Sequence, residues 1–244
     1  MIFQDTLDWV AFGWFLALWV GYTAYAVIAS KKKDSLANLL FKYRLDWIKA
    51  MLHRENRIAD MALLNGMTQL ASFLASTTLF VVAGTLTALS SADKVMALLA
   101  GHSFIAETNE EQVQFKILLL VLIFVFAFFR LTWSLRQYTF CAIMLGAAPY
   151  VKHSDLTKDE MEFASAAAKV CDRAAREFNY GLRAYYFGLA LISWFISPWF
   201  FMLSCTLVVA VLYRREFRSM TLRYLVQGRK GFGKAQQAGK LSSV

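Results

Sequence analysis

"SWFISPWFF", residues 193–201, interrupts an apolar stretch that runs from 184 to 213. Its reading decides how often the chain crosses a membrane. One helix over the whole stretch would be roughly 45 Å long, well beyond a hydrocarbon core of about 30 Å. Proline removes a backbone donor and clashes with the preceding turn, so Pro198 is a natural break. Split there, each arm measures roughly 21–23 Å. That is short for a span, but tolerated where the bilayer thins or neighbouring helices cover it. The expectation is a helical hairpin turning at Ser197 and Pro198. The alternative is one kinked, tilted helix that begins beneath the membrane surface.

The rest of the composition sets the same context. Hydrophobic residues make up 58% of the chain and aromatics 16%, more apolar surface than a soluble domain of this length can cover. Four windows are long enough for spans: 9–29, 64–89, 115–135 and 184–213. They are continuously apolar and do not alternate, which excludes a β-barrel. The first is not read as a cleaved signal peptide. Asp5 and Asp8 stand where a basic region is needed, and Lys31, Lys32 and Lys33 follow it as a stop-transfer anchor.

Charge then orients the spans. Lys and Arg concentrate in 30–63, in 130–183 and after 213, with eight in each segment, and only Lys94 and Lys116 lie elsewhere. Cytoplasmic flanks are the basic ones. With four crossings the split is 16 to 10; with five it is 24 to 2. Five crossings, with the N-terminus outside, fit far better.

Two basic segments are amphipathic. Leu36, Leu40, Tyr43, Trp47 and Met51 share one helical face. Such a helix either lies among headgroups with Trp47 at the interface or packs on the protein's own cytoplasmic ends. Further on, Thr157 and Glu160 have capping-box spacing, ahead of Phe163, Ala167, Val170, Ala174 and Phe178 at helical intervals. The many alanines there admit a close partner helix. Together the two segments predict a helical layer beneath the membrane, suited to subunit contacts.

Motifs for chemistry are missing. Cys141, Cys171 and Cys205 are far apart, and His53, His102 and His153 lack ligand spacing, so neither a disulfide framework nor a metal site is suggested. No catalytic residue, metal or cofactor is expected. The sequence "GFGKAQQAGKLSS" is not a P-loop: five residues separate Gly233 and Gly239 where four are needed, and Leu241 follows Lys240. It reads as a flexible basic tail directed at anionic lipid headgroups and not at nucleic acid. The second span carries Asn65, Thr68, Gln69, Ser72 and Ser76 along one side. Such a stripe either glues helices together in lipid or lines a watery path. No Asp or Glu lies inside a predicted span, which disfavours ion-coupled transport. Arg130 and Arg183 border apolar arms and, with Trp47, are expected to act as interfacial anchors.

"GLRAYYFGLALISWFISPWFFMLSCTLVVAVLY" (181–213), "ENRIADMALLNGMTQLASFLASTTL" (55–79) and "FKILLLVLIFVFAFFRLTWSLRQYTFCAIML" (115–145) resemble the uncharacterised membrane-protein family called domain of unknown function 599, seen in bacteria and plants. The resemblance covers most of the chain up to about residue 219. Family members place Gly before the break proline, where this chain has Ser197. The resemblance implies no activity, ligand or catalytic residue.

The reading is thus an all-α, polytopic membrane helical bundle. One membrane domain spans 1–219, with crossings at about 9–29, 64–89, 115–135, 184–197 and 199–213 and amphipathic cytoplasmic helices at 36–60 and 157–183. A basic flexible tail occupies 220–244. The expected location is the bacterial inner membrane, with the basic loops and tail cytoplasmic. The expected function is non-enzymatic: the chain self-associates as a homo-oligomer or serves as a subunit of a larger membrane complex. The alternative is a passive ion or small-solute channel, formed by a homo-oligomer around the stripe from Asn65 to Ser76.

Overall fold

Where water is absent, a chain satisfies its backbone polar groups within each segment, and a helix does so completely. The computed structural model describes residues 6–32, 35–100 and 109–241, and every regular element among them is helical. In order these are α1 (Thr6–Lys32), α2 (Leu36–Leu52), α3 (Ile58–Ser90), α4 (Ala92–Ala100), α5 (Glu110–Gly146), α6 (Lys158–Ile192), a 3-10 turn (Ser193–Phe195), α7 (Pro198–Phe217) and α8 (Met220–Leu241). Among the described residues, three segments are long and apolar enough to cross a membrane: Thr6–Ala29, Ile58–Ser90 and Glu110–Gly146.

The chain reverses at Ser197 and Pro198. Arg215 Nη1 donates a 3.0 Å hydrogen bond to Tyr186 Oη, although the two would lie roughly 43 Å apart in one continuous helix. The kinked-helix alternative is therefore excluded. Ser197 is extended, with φ −163° and ψ 145°, and its hydroxyl accepts from the Trp199 amide, while Pro198 occupies the first turn of α7. An extended cap has no need of glycine, so serine serves here and adds a side-chain acceptor.

Helices α1, α5 and α7 run in one direction and α3 and α6 return. Trp14 reaches Thr206 and Tyr25 meets Tyr213, so α1 and α7 are parallel. Trp19 meets Phe126 on α5. Tyr185 on α6 bonds to Thr78 and to the Leu74 carbonyl on α3. One end of the bundle gathers the start of α1, the start of α5 and the 3-10 turn. The other gathers α2, α8, the start of α3 and the ends of α5 and α7, and is called the basic end below.

Two main cores follow. Phe15, Phe187, Trp194 and Phe201 centre the first, among α1, α5, α6 and α7. The second is built by Ile48, Met51 and Leu52 of α2 against Ala164, Ala167, Ala168, Cys171 and Ala174 of α6 and Tyr138, Cys141 and Leu145 of α5. The alanines supply the close approach. The capping box of α6 is formed: Thr157 Oγ1 accepts from the Glu160 amide and Glu160 Oε2 accepts from the Thr157 amide. That last bond is the main cause holding the Glu160 carboxyl below its ordinary range.

Several boundaries differ from the sequence reading. The helix expected over 36–60 stops at Leu52, because Arg57 donates to the carbonyls of Leu145, Ala148 and Pro149 and the Asn56 side chain accepts from the Ile58 amide to start α3. The packed face of α2 is also rotated, to Leu39, Ile48, Met51 and Leu52. Residues 157–183 and the following arm form a single helix, α6. The tail expected to be flexible is helical over Met220–Leu241: Ser219 caps it, Tyr43 Oη donates to the Leu225 carbonyl at 2.8 Å, and Arg229 pairs with Asp46. Residues 242–244, and Lys33 of the anchor, lie outside the described residues, as does His102.

Two glycines set how close α6 comes to α5. A Cβ on Gly181 would lie 2.8 Å from Leu131 Cγ, and one on Gly188 would lie 3.0 Å from the Phe124 ring, whereas one on Gly66 of α3 would meet nothing within 4 Å. Gly181→Ala is expected to destabilise the protein by about 1–3 kcal/mol through overpacking. Gly66→Ala should leave monomer stability unchanged or slightly higher, since alanine is the better helix former. Thermal unfolding of the detergent-solubilised variants measures both.

Candidate functional site

The polar stripe lies on the outside of the chain. Asn65, Gln69, Ser72 and Ser76 are exposed, and Thr68 is half-buried, donating to the Leu64 carbonyl. The opposite face of α3, with Leu64, Ala71, Ala75 and Thr78, is buried against the bundle. Among the described residues the amides of Asn65 and Gln69 have no hydrogen-bond partner in the chain. Helix α3 also buries least of its span: 17%, against 22% for α1 and 44% for α5. Exposed Phe73 and Phe80 share this outer surface.

The end opposite the basic one holds a buried charged cluster that sequence reading missed. Asp8, Lys116 and Trp194 are all nearly inaccessible. Trp194 Nε1 donates to Asp8 Oδ1 at 2.6 Å, and Lys116 Nζ donates to the Trp194 carbonyl at 3.2 Å. The ammonium also lies 3.9 Å from Asp8 Oδ1 and 5.2 Å from the centre of the Trp194 ring. The available signal was a lysine at the start of the long apolar run of α5 and an aspartate at the start of α1. Each looked like an ordinary flanking charge.

The expected anchors are engaged within the protein. Arg130 Nη1 pairs with Glu177 at 2.8 Å and its guanidinium lies over Phe126 and Tyr180. Trp47 Nε1 donates to Asp60 at 2.6 Å, and Arg54 shares that carboxylate. Arg183 lies over the rings of Tyr22 and Tyr180, 5.3 and 5.6 Å from their centres. Behind them, Asp172 binds Arg44 and Arg176 at 2.8 and 2.7 Å. Arg183 also faces a cavity of about 320 Å³ between α1, α2, α6 and α7, which Arg215, Glu216 and Asn179 help to line. No group of three or more metal-ligating side chains occurs among the described residues.

The buried pair at the opposite end gives a direct test. Lys116→Met leaves the Asp8 carboxylate without its cation, a change that costs about 3–5 kcal/mol where a buried partner is lost. The double variant Asp8→Asn/Lys116→Met removes both charges, keeps an acceptor for the Trp194 indole, and should recover most of that loss. Denaturant titration of the three proteins decides it, and equal stability of both variants and wild type would deny the pair its role.

A family model described as "Protein of unknown function, DUF599" matches residues 10–221, from α1 to the start of α8. No curated protein and no solved structure matches the chain. The chain belongs to the family of that description.

Proposed function

We propose that this member of the family is a non-enzymatic integral membrane protein that associates with a second copy of itself through the polar face of α3. It would cross the bacterial inner membrane five times, through α1, α3, α5, the last part of α6 and α7. The N-terminus lies outside, and the basic end, with α8, faces the cytoplasm and its anionic lipid.

The observation that carries the reading is the exposure of Asn65, Gln69, Ser72 and Ser76 on a helix apolar enough to span a membrane. An amide moved into hydrocarbon without a partner costs roughly 4–8 kcal/mol. A polar stripe on such a helix therefore calls for polypeptide or water beside it. A second copy suits it chemically. Amides and hydroxyls both donate and accept, so the same face on a symmetry-related chain is complementary to itself. Ser72 and Ser76, one turn apart, leave room for close backbone approach. Assembly into a larger heteromeric complex remains an outcome of the test below. So does a passive pore, in which the stripe faces water.

Gln69→Leu separates these outcomes. In a scaffold interface it should weaken the oligomer by about 1–2 kcal/mol with no flux in either protein, as read from detergent-resistant oligomers beside solute flux in liposomes. Flux in wild type that vanishes in an intact mutant oligomer identifies a pore, because an apolar constriction dewets. A wild-type monomer would overturn self-association. The topology has its own test: Cys141, Cys171 and Cys205 are buried and Lys230 is exposed, so a Lys230→Cys variant offers one accessible thiol. It should react with an impermeant maleimide only from the cytoplasmic side.

A further inference from the structure

We infer that the cavity at the basic end, between α1, α2, α6 and α7, binds the phosphate of an anionic glycerophospholipid. The inference rests on the membrane reading above but is independent of association through α3.

Two guanidinium groups face this cavity of about 320 Å³. Arg183 is half-buried, held by the faces of Tyr22 and Tyr180, and among the described residues it has no carboxylate within ion-pair distance. Ring faces engage the π surface of a guanidinium and leave its N–H edge available. Arg215 stands exposed at the mouth, where it donates to Tyr186 Oη and keeps further donors to spare. The carboxylate beside them, Glu216, accepts the Ala37 amide of α2 through Oε1 at 3.2 Å, and its single charge is outnumbered by the two guanidiniums. Asn179, Ser219 and Thr221 add polar groups to the wall. Paired arginine forks match the oxygen spacing of a phosphate.

Position selects a lipid over a soluble anion. The cavity opens where apolar helix surface gives way to charge: Ile28 of α1 and Leu207 and Val211 of α7 are exposed just before Arg214 and Arg215. A phosphate seated between Arg183 and Arg215 would leave its acyl chains along that surface. Arg183 also lines a smaller pocket that continues towards Tyr180, and two guanidiniums against the single Glu216 carboxylate leave the wall net positive, which favours an anionic headgroup over a zwitterionic one.

The test uses the full chain in phosphatidylcholine nanodiscs with and without phosphatidic acid, with retained lipid counted by native mass spectrometry. Wild type should retain phosphatidic acid preferentially. Arg183→Gln and Arg215→Gln should each weaken that retention by about tenfold or more, whereas Arg183→Lys should restore only part of it, because an ammonium lacks the bidentate fork. Arg215→Gln alters an exposed side chain, so its helical circular dichroism should match wild type and keep the result interpretable if Arg183→Gln folds poorly. Inorganic phosphate is the second arm: displacement of lipid by millimolar phosphate, or thermal stabilisation by phosphate alone, assigns the site to a soluble anion and overturns the lipid inference. Unchanged lipid retention in a folded Arg215→Gln variant overturns the site. Oligomeric state, measured on the same samples, tells the two readings apart: Gln69→Leu should lose oligomer and keep lipid, and Arg215→Gln the reverse.

Discussion

Trp194 holds the reversal of the chain in place, and much of the bundle depends on it. Its indole N–H goes to Asp8 of α1, its carbonyl takes the Lys116 ammonium of α5, and its ring stacks on Phe201 of α7 with centres 4.6 Å apart. One fully buried residue thus ties three helices to the turn between α6 and α7. A hairpin whose arms are too short to span comfortably needs such fixing, because nothing in the arms alone selects the return path over a continuous helix. The charges are placed where the cost can be met. Aspartate and lysine compensate each other, and the indole and carbonyl satisfy polar atoms that the apolar surroundings leave without water.

What could be read from the sequence was local. The break at Pro198, the capping box at Thr157 and Glu160 and the polar side of α3 each lie within about three helical turns of one segment, where spacing alone carries the information. What could not be read was long-range. Asp8 and Trp194 are separated by 186 positions, and a flanking aspartate looks the same whether it meets solvent or an indole. The face of α2 failed for a related reason. Periodicity found an apolar side, but Tyr43 and Trp47 on that side are amphipathic, and they spend their polar atoms on Leu225 and Asp60. The core took the neighbouring residues Ile48 and Leu52 instead. Glycines at 228, 231, 233 and 239 disfavour helix in the tail, whereas the Arg, Lys, Ala and Gln among them favour it, and contacts with α2 hold it.

The same limit applies to the functional candidates. The stripe was legible because its residues recur on one helix; that it faces away from the protein's own bundle was not, since that depends on which side of α3 packs against α5. Arg183 was legible as a charge at the edge of an apolar arm. Its surroundings come from four helices, and its distinguishing property is the kind of neighbour it has. Arg130, one helix away, has Glu177 as a partner and Arg44 has Asp172, while Arg183 has tyrosine rings. Arg130 and Arg183, which both border apolar arms, thus differ in whether their charge is neutralised inside the protein.

That difference connects the two proposals in space. The polar face of α3 points outward from the side of the bundle where α3 packs on α5, and α3 contributes no residue to the wall of the cavity. A second copy seated on α3 would therefore leave the opening between α1 and α7 facing lipid. Tyr180 touches both Arg183 and Arg130, and Arg130 belongs to α5, the helix on which α3 rests. Tyr180 and Arg130 therefore stand between the cavity and the α5 side of the bundle. An anion seated on Arg183 would meet the N–H edge that the faces of Tyr22 and Tyr180 leave open.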